Sequence, residues 1–277
     1  MGVALALGSC AMLAGCAGGS APDAGPTPPP GVTASVYQPR PDIPAARMAI
    51  QVHNGGDAPV DVVAATLHTE VFAEAASWAD DGATVLAGRA LDLRIDIPEL
   101  RCGDPAEPPR VELTFDDGGT LTVEADDPYD LLPRFADEAC LAEAVGDVVA
   151  LGEVRLEYAG GAVPATLVVP ATPTGAGGAV VVDAALSTTL LQPADATGTG
   201  TSELPLGIAL GDGGAAEVRV PLVPNRCDAH ALAEDKIGTG IPLLVTAGGV
   251  ERGRLVLPAG DELRAAMYAF FTEYCGL

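Results

Sequence analysis

Residues 91–97 read Leu-Asp-Leu-Arg-Ile-Asp-Ile, and this stretch decides the fold class. Apolar and charged residues alternate, so the apolar side chains point to one face of an extended strand and the charged ones to the other. Residues 111–123 alternate in the same way on both sides of Asp116-Asp117-Gly118-Gly119, which predicts a hairpin. A second hairpin is predicted for residues 48–67, with its turn at Asn54-Gly55-Gly56-Asp57. The chain is therefore expected to be mainly β.

The strand at residues 91–97 has a counterpart later in the chain, as part of an internal repeat. Three segments match in the same order: 55–67 with 174–186, 91–95 with 216–220, and 135–140 with 270–275. The offset between matching segments grows from 119 to 125 to 135 residues, as small loop insertions would produce. Two of the matches lead to a cysteine in both copies. The sequence therefore predicts a duplicated domain.

Each of the two copies contains two cysteines, Cys102 and Cys140 in the first and Cys227 and Cys275 in the second. Four cysteines allow three pairings. Zinc binding is a competing interpretation, but no CxxC pair or histidine cluster accompanies these cysteines. The repeat favours one disulfide in each copy, Cys102–Cys140 and Cys227–Cys275. Each bridge would close a loop of about 40 to 50 residues and stabilise its domain by roughly 3 to 4 kcal/mol.

Both copies end in a helical pattern. In the second, Leu263, Met267, Phe270, Phe271 and Tyr274 are spaced as on one face of a helix that begins at residue 261 and stops at Gly276. At this spacing, aromatic side chains more often form core than a binding surface. In the first copy, the corresponding helix is expected at residues 130–140.

The expected architecture is two tandem immunoglobulin-like β-sandwich domains, each ending in a short disulfide-stapled helix. The first domain is assigned to residues 32–145 and the second to residues 146–277. The Cys…Trp…Cys signature of immunoglobulin domains is missing, so the resemblance to that family is one of architecture.

The N-terminus has the pattern of a targeting signal. Residues 3–13 are apolar and uncharged, and the run is too short to span a bilayer. It ends in Leu13-Ala14-Gly15-Cys16, which is similar to the lipobox of bacterial lipoproteins. The resemblance implies that residues 1–15 are a signal peptide, and that Cys16 becomes the first mature residue and carries the lipid. Residues 16–31 are rich in glycine and proline and are expected to be a stalk. An exported protein, anchored by lipid on the outer face of the cytoplasmic membrane, is therefore predicted.

The charge balance excludes one class of partner and disfavours another. The chain has 14 Lys+Arg against 38 Asp+Glu, a net charge of -24. This charge repels phosphate backbones, so nucleic acid is not expected as a partner. It also opposes docking on anionic lipid, so the membrane is expected to be reached through the lipid on Cys16.

No catalytic motif is visible. His53, His68 and His230 are not paired at HxxxH or HExxH spacing, and the sequence has no GxSxG, phosphate-loop or dinucleotide motif. The protein is therefore expected not to be an enzyme and to need no cofactor. A hydrolase whose residues meet only in the fold is a further hypothesis.

Acidic pairs give the metal-binding candidates. Asp80-Asp81 and Asp116-Asp117 precede glycines, and calcium binds converging carboxylates. Solvated turn residues are the commoner interpretation of such pairs. The expected function is a non-enzymatic cell-envelope lipoprotein with a protein-interaction or structural role and an envelope protein as its partner. The alternative is a calcium- or small-solute-binding accessory lipoprotein.

Overall fold

The computed structural model describes residues 29–211, 213–235, 237–248, 250–257 and 259–277. The predicted signal peptide, Cys16 and the stalk as far as residue 28 lie outside the described residues. The described chain is mainly β, as residues 91–97 predict. None of its helices combines the length and the apolar character that crossing a membrane requires.

The first sandwich is built from strands of six to ten residues and one short 3-10 helix. The strands are β1 (Val32–Tyr37), β2 (Arg47–Asn54), β3 (Val60–His68), β4 (Ala76–Val85), β5 (Arg89–Asp96), β6 (Arg110–Phe115) and β7 (Thr120–Asp126), and the 3-10 helix spans Arg40–Ala45. One layer has the order β1–β2–β5 and the other β4–β3–β6–β7. A short parallel pairing, Ala34 with Ala125 and Ser35 with Asp126, joins β1 to β7 and closes one side of the sandwich.

The second sandwich follows a long helix, α1 (Leu131–Val148). Its strands are β8 (Val149–Leu151), β9 (Arg155–Glu157), β10 (Ala165–Pro173), β11 (Val180–Leu186), β12 (Leu191–Pro193), β13 (Glu203–Leu210), β14 (Ala216–Pro224), β15 (Ile241–Ala247) and β16 (Val250–Leu257). Two further helices are α2 (Ala229–Ala233) and α3 (Asp261–Cys275). One layer has the order β12–β14–β10–β8, with β9 also paired to β10, and the other β13–β11–β15–β16.

The two sandwiches share one strand plan, as the internal repeat predicts. The layer β4–β3–β6–β7 corresponds to β13–β11–β15–β16, and the pair β2–β5 corresponds to β10–β14. The matched segments fall on equivalent elements: β3 with β11, β5 with β14, and α1 with α3. The predicted fold class is confirmed: two tandem immunoglobulin-like sandwiches, each ending in a helix held by a disulfide.

One predicted hairpin forms and the other does not. β6 and β7 pair across the turn at residues 116–119, with Val111 opposite Val123. The prediction of a hairpin over residues 48–67 is wrong, because β2 and β3 lie in opposite layers. The buried Asn54 amide explains the crossover, since it donates to the carbonyls of Ala58 (2.8 Å) and Val85 (2.9 Å) and so fixes the chain as it leaves β2. Val85 is too distant in sequence for a local turn signal to reveal this contact.

Helix α1 belongs to both sandwiches. Leu131, Leu132 and Phe135 are buried in the core of the first sandwich. Leu141, Val145 and Val148 are buried in the core of the second. The helix is therefore longer than residues 130–140 because its C-terminal half has its own apolar surface to cover. It also crosses the predicted boundary between residues 145 and 146.

The two sandwiches differ at one side. In the first sandwich, β1 closes this side. Within the described chain, β16 ends its layer, whereas the equivalent β7 pairs onward with β1. Helix α1 packs against β16 instead, at two glycines that allow a close approach. A Cβ atom on Gly253 would lie 2.9 Å from Leu141 Cδ2, and one on Gly248 would lie 2.9 Å from Ala144 Cβ.

Both predicted disulfides are present. Cys102, in the loop after β5, is bonded to Cys140 in α1, and Cys227, in the loop after β14, is bonded to Cys275 at the end of α3. The bridges occupy equivalent places in the two copies. Disulfides of this kind are typical of oxidising compartments, so the protein is extracellular or periplasmic.

The aromatic side chains of α3 form core. Met267, Phe270 and Phe271 are fully buried, and Phe270 makes an edge contact with Tyr274 at 5.6 Å between ring centroids. Gly276 ends the helix in the left-handed conformation, with φ of 66°. The prediction that this cluster is core is confirmed.

Candidate functional site

A large cleft lies between the two sandwiches and has a volume of about 1090 Å³. The 3-10 helix and the ends of β5 form one wall, α1 forms the floor, and β16 with the loop before β15 forms the opposite wall. The residues used below are Ile43, Ile97, Leu100, Arg134, Glu138, Leu141, Ile237, Arg252, Arg254, Val256 and Arg264. We call this surface the interdomain cleft.

The wall from the first sandwich is held in place by Asp42. This carboxylate is only 6% exposed and lies 2.5 Å from Arg94 Nε and 3.3 Å from Arg47 Nη2. These ion pairs fix the 3-10 helix on the outer face of the β1–β2–β5 layer. A backbone hydrogen bond from Ile97 to the Ala46 carbonyl (2.8 Å) adds a second attachment. As a result, Ile43 is held at the rim of the cleft with its side chain partly exposed.

The floor is the stretch of α1 on either side of the Cys102–Cys140 disulfide. Arg134 lies over the Phe135 ring, 5.7 Å from its centroid, and is 3.9 Å from the Glu138 carboxylate. Partial burial raises the pKa of Glu138, and the nearby charges of Arg134 and Arg254 oppose this rise without cancelling it. The floor therefore carries one carboxyl that is less acidic than an ordinary glutamate.

The wall from the second sandwich depends on Asp235. One of its oxygens accepts a hydrogen bond from the Gly238 amide (2.7 Å), and the other accepts one from the Tyr268 hydroxyl of α3 (3.0 Å). The Gly240 amide donates to the Ile237 carbonyl (3.1 Å), so the loop before β15 is folded tightly. This loop presents Ile237 beside β16.

The cleft combines exposed apolar side chains with basic ones. Ile43, Ile237 and Val256 are 38%, 40% and 45% exposed, so three large aliphatic side chains contact water at one cleft. Arg134, Arg252, Arg254 and Arg264 also line the cleft. Four of the 14 basic residues of a chain with net charge -24 thus meet at one place. Such a surface is suited to a ligand that is both apolar and anionic.

The calcium candidates do not come together. Asp80 and Asp81 lie on β4, and Asp116 and Asp117 lie in the turn after β6. β3 runs between β4 and β6, which separates the two pairs by about 10 Å, twice the spacing of neighbouring strands. The Asp80 carboxylate accepts a hydrogen bond from the Asp81 amide, and that of Asp117 accepts one from Gly119. Among the described residues, no group of three or more metal-binding side chains forms.

The three histidines are also separate. His53 is on β2, His68 ends β3 in the opposite layer, and His230 is in α2 of the second sandwich. All three are exposed. The structure therefore does not bring them together as a catalytic group.

Sequence reasoning did not identify the cleft. Its residues come from segments far apart in the chain, so no local pattern reveals it. One signal was available: Arg252 and Arg254 are the only two basic residues in the sequence that lie two positions apart. Because the chain as a whole is strongly acidic, two arginines this close together indicate a surface whose charge differs from the rest.

Charged clusters outside the cleft follow the repeat. Asp92 and Arg94 of β5 correspond to Glu217 and Arg219 of β14, and each pair forms ion pairs on the outer face of its layer. Burial raises the pKa of Asp92, but hydrogen bonds from Tyr37, Gln51 and Arg94 outweigh it and lower that pKa. The cluster of Glu217 and Arg219 is nearly half exposed and that of Asp92 and Arg94 is partly buried, and both are best understood as structural supports of the sheets.

No family model and no curated protein matches the chain. Among solved structures, red sea bream transglutaminase is 13% identical with a TM-score of 0.21, over 83% of this chain and 31% of that chain. The chain thus spans about a third of the length of the transglutaminase. The YadV chaperone is 13% identical with a TM-score of 0.19, over 76% of this chain and 92% of that chain. The CsuC–CsuE chaperone–adhesion subunit complex of Acinetobacter baumannii is 10% identical with a TM-score of 0.19, over 76% of this chain and 90% of that chain. These likenesses concern the fold alone.

Proposed function

We propose that the chain is a non-enzymatic, lipid-anchored binding protein of the cell envelope, and that the interdomain cleft is its binding surface. The observation that supports the proposal is the meeting of exposed Ile43, Ile237 and Val256 with four arginines in an otherwise acidic protein. Single exposed apolar side chains are common on protein surfaces, but several that line one cleft beside basic groups support a binding role.

Two features favour a binding role over catalysis. The exposed histidines are spread over three elements, and most side chains that line the cleft are arginines and apolar residues, which bind and orient but do not commonly transfer protons. The carboxyls of Asp137 and Glu138 are the exceptions. The proposed attachment to the membrane is supported by the lipobox-like residues that end at Cys16.

A photoreactive amino acid at position 43 tests this proposal in intact cells of the producing bacterium. Ile43 is at the rim of the cleft, whereas the matched control, Leu86, is 57% exposed and is not among the residues that line it. We expect an adduct of one defined mass with the probe at position 43 and none with the probe at position 86. The same adducts at both positions, or none at position 43, would exclude the cleft as a binding surface.

A further inference from the structure

The outward face of β16 carries a row of side chains along the interdomain cleft, and a shift in the register with β15 interrupts the strand between Val250 and Gly253. Arg252, Arg254 and Val256 are exposed, while Leu255 between them is partly buried and Leu257 is buried. Arg254 and Val256 lie beyond the irregular part, where the Cα atoms of alternate residues are about 6.6 to 6.8 Å apart. The cleft therefore offers two positive charges and one apolar group along one strand.

The two arginines of this row are available to a ligand. Arg252 is 2.8 Å from Glu203, but both side chains are nearly half exposed, and such pairs contribute about 0 to 1 kcal/mol. Arg254 forms no ion pair with any residue that the structure describes. A carboxylate from a ligand could therefore bind Arg254 directly and replace Glu203 beside Arg252.

The opposite side of the cleft is apolar. Ile43, Ile97 and Leu100 of the first sandwich face the row from the far wall. Charged pairs that form beside such a surface are less exposed to water than those on an open surface, and the attraction between them is stronger. The ligand that fits both walls has carboxylates on one side and aliphatic groups on the other.

Building on the proposed function, we propose that the cleft binds an extended segment of a partner protein in which acidic residues alternate with apolar ones. In an extended segment, alternate side chains point to opposite sides, so its carboxylates face Arg252 and Arg254 while its apolar residues face Ile43 and Leu100. A lipid with a single anionic headgroup offers only one charge to the two arginines. The presence of both arginines in one cleft therefore favours a peptide over a lipid.

The test compares two short capped peptides of equal composition in solution with the folded protein. One alternates glutamate and valine, and the other has all its glutamates in one block and all its valines in another. We expect the alternating peptide to bind more tightly. Arg254→Gln should weaken that binding roughly tenfold, because a charge-assisted hydrogen bond is lost. Arg89→Gln, which removes the same charge from an exposed position outside the cleft, should leave binding unchanged.

Several results would overturn this inference. They are equal binding of the two peptides, equal loss of binding in both arginine variants, or no peptide binding at all. Binding of phosphatidylglycerol vesicles that depends on Arg254, without peptide binding, would assign the row to lipid headgroups. A cleft-specific adduct at position 43 that proves not to be protein would overturn this inference but uphold the proposed function, whereas absence of any such adduct would remove the proposed function itself.

Discussion

Leu141 follows Cys140 directly in α1, yet the two residues belong to different domains. Cys140 is bonded to Cys102 of the first sandwich, and Leu141 is 2% exposed in the core of the second. The residue that carries the disulfide of the first sandwich is therefore followed directly by a core residue of the second. The two sandwiches are joined by a continuous helix and not by a flexible linker.

Leu141→Ala should destabilise the second sandwich and leave the first unchanged. Replacing a buried leucine by alanine costs about 2 to 5 kcal/mol. The matched control is Leu132→Ala, which removes an equally buried side chain of α1 from the first core. Trp78, the single tryptophan, is on β4 and reports the first sandwich. In urea, the Trp78 fluorescence transition should shift for Leu132→Ala only, while the circular dichroism transition shifts for both. If Leu141→Ala shifted the Trp78 fluorescence transition as much as Leu132→Ala does, the prediction of separate cores would be wrong.

The second sandwich should need part of α1 in order to fold alone. A fragment of residues 137–277 with Cys140→Ser keeps Leu141, Val145 and Val148, while a fragment of residues 146–277 loses the first two. We expect cooperative thermal unfolding from the longer fragment and a broad transition at lower temperature from the shorter one. Equal melting temperatures would show that the predicted boundary between residues 145 and 146 is adequate.

Replacement by alanine of either of two glycines near the junction of the sandwiches should change the free energy of unfolding, in opposite directions for the two. Gly253→Ala places a methyl group 2.9 Å from Leu141 Cδ2 and should cost about 1 to 3 kcal/mol through overpacking. Gly146 is in α1 with open space around its Cα, so Gly146→Ala should stabilise the protein by about 0.5 to 1 kcal/mol. Denaturation midpoints of the two variants measure both effects. A stabilising Gly253→Ala would mean that α1 does not approach β16 so closely.

Glu138 should make stability depend on pH. Burial raises the pKa of its carboxyl in the folded protein, so the folded state binds this proton more readily than the unfolded state. Stability from this group is therefore lost as the pH rises from the ordinary glutamate pKa through the raised one. Glu138→Gln should remove this loss and be the more stable protein at neutral pH, with the difference vanishing in acid. Urea midpoints across the pH range test this, with exposed Glu143→Gln on the same helix as the control. A constant difference at every pH would contradict it.

Cys16→Ser should release the protein from the membrane. The thiol of Cys16 is the acceptor of the lipid that the lipobox resemblance implies, and serine does not replace it. Fractionation of cells should place the wild type with membranes and the variant with unprocessed or soluble protein. Intact-mass measurement should show a diacylglycerol-type addition on a chain that begins at residue 16. A mature chain with another start and no added mass would refute the anchor.

The sequence revealed the fold wherever the signal was local or repeated. Alternation at residues 91–97 marks β5 because one side of each layer faces the core. The repeat pairs the cysteines because both copies place them after the same strand and in the same helix. Local patterns failed at Asn54, whose hydrogen bond to Val85 spans 31 residues and turns an expected hairpin into a crossover.

The length of α1 and the cleft needed tertiary information. Leu141, Val145 and Val148 are spaced as on one helical face, but the helix was expected to end at Cys140, and the domain boundary was placed between residues 145 and 146. The cleft is lined by segments of both sandwiches that are far apart in the sequence. None of its arginines is conspicuous in the sequence by itself. Only the closeness of Arg252 to Arg254 distinguished the site in the sequence.

The shared helix also sets an order of events during export. In a chain that is exported from its N-terminus in unfolded form, the first sandwich emerges before the second, and closing Cys102–Cys140 holds the first half of α1 against the first sandwich. Starting a helix is the unfavourable step, and extending one is not. The residues from Leu141 to Val148 therefore lengthen a helix that already exists, and they present an apolar face before β8 to β16 have emerged. We expect the second sandwich to assemble on that face, so that the N-terminal copy serves as a template for the C-terminal one.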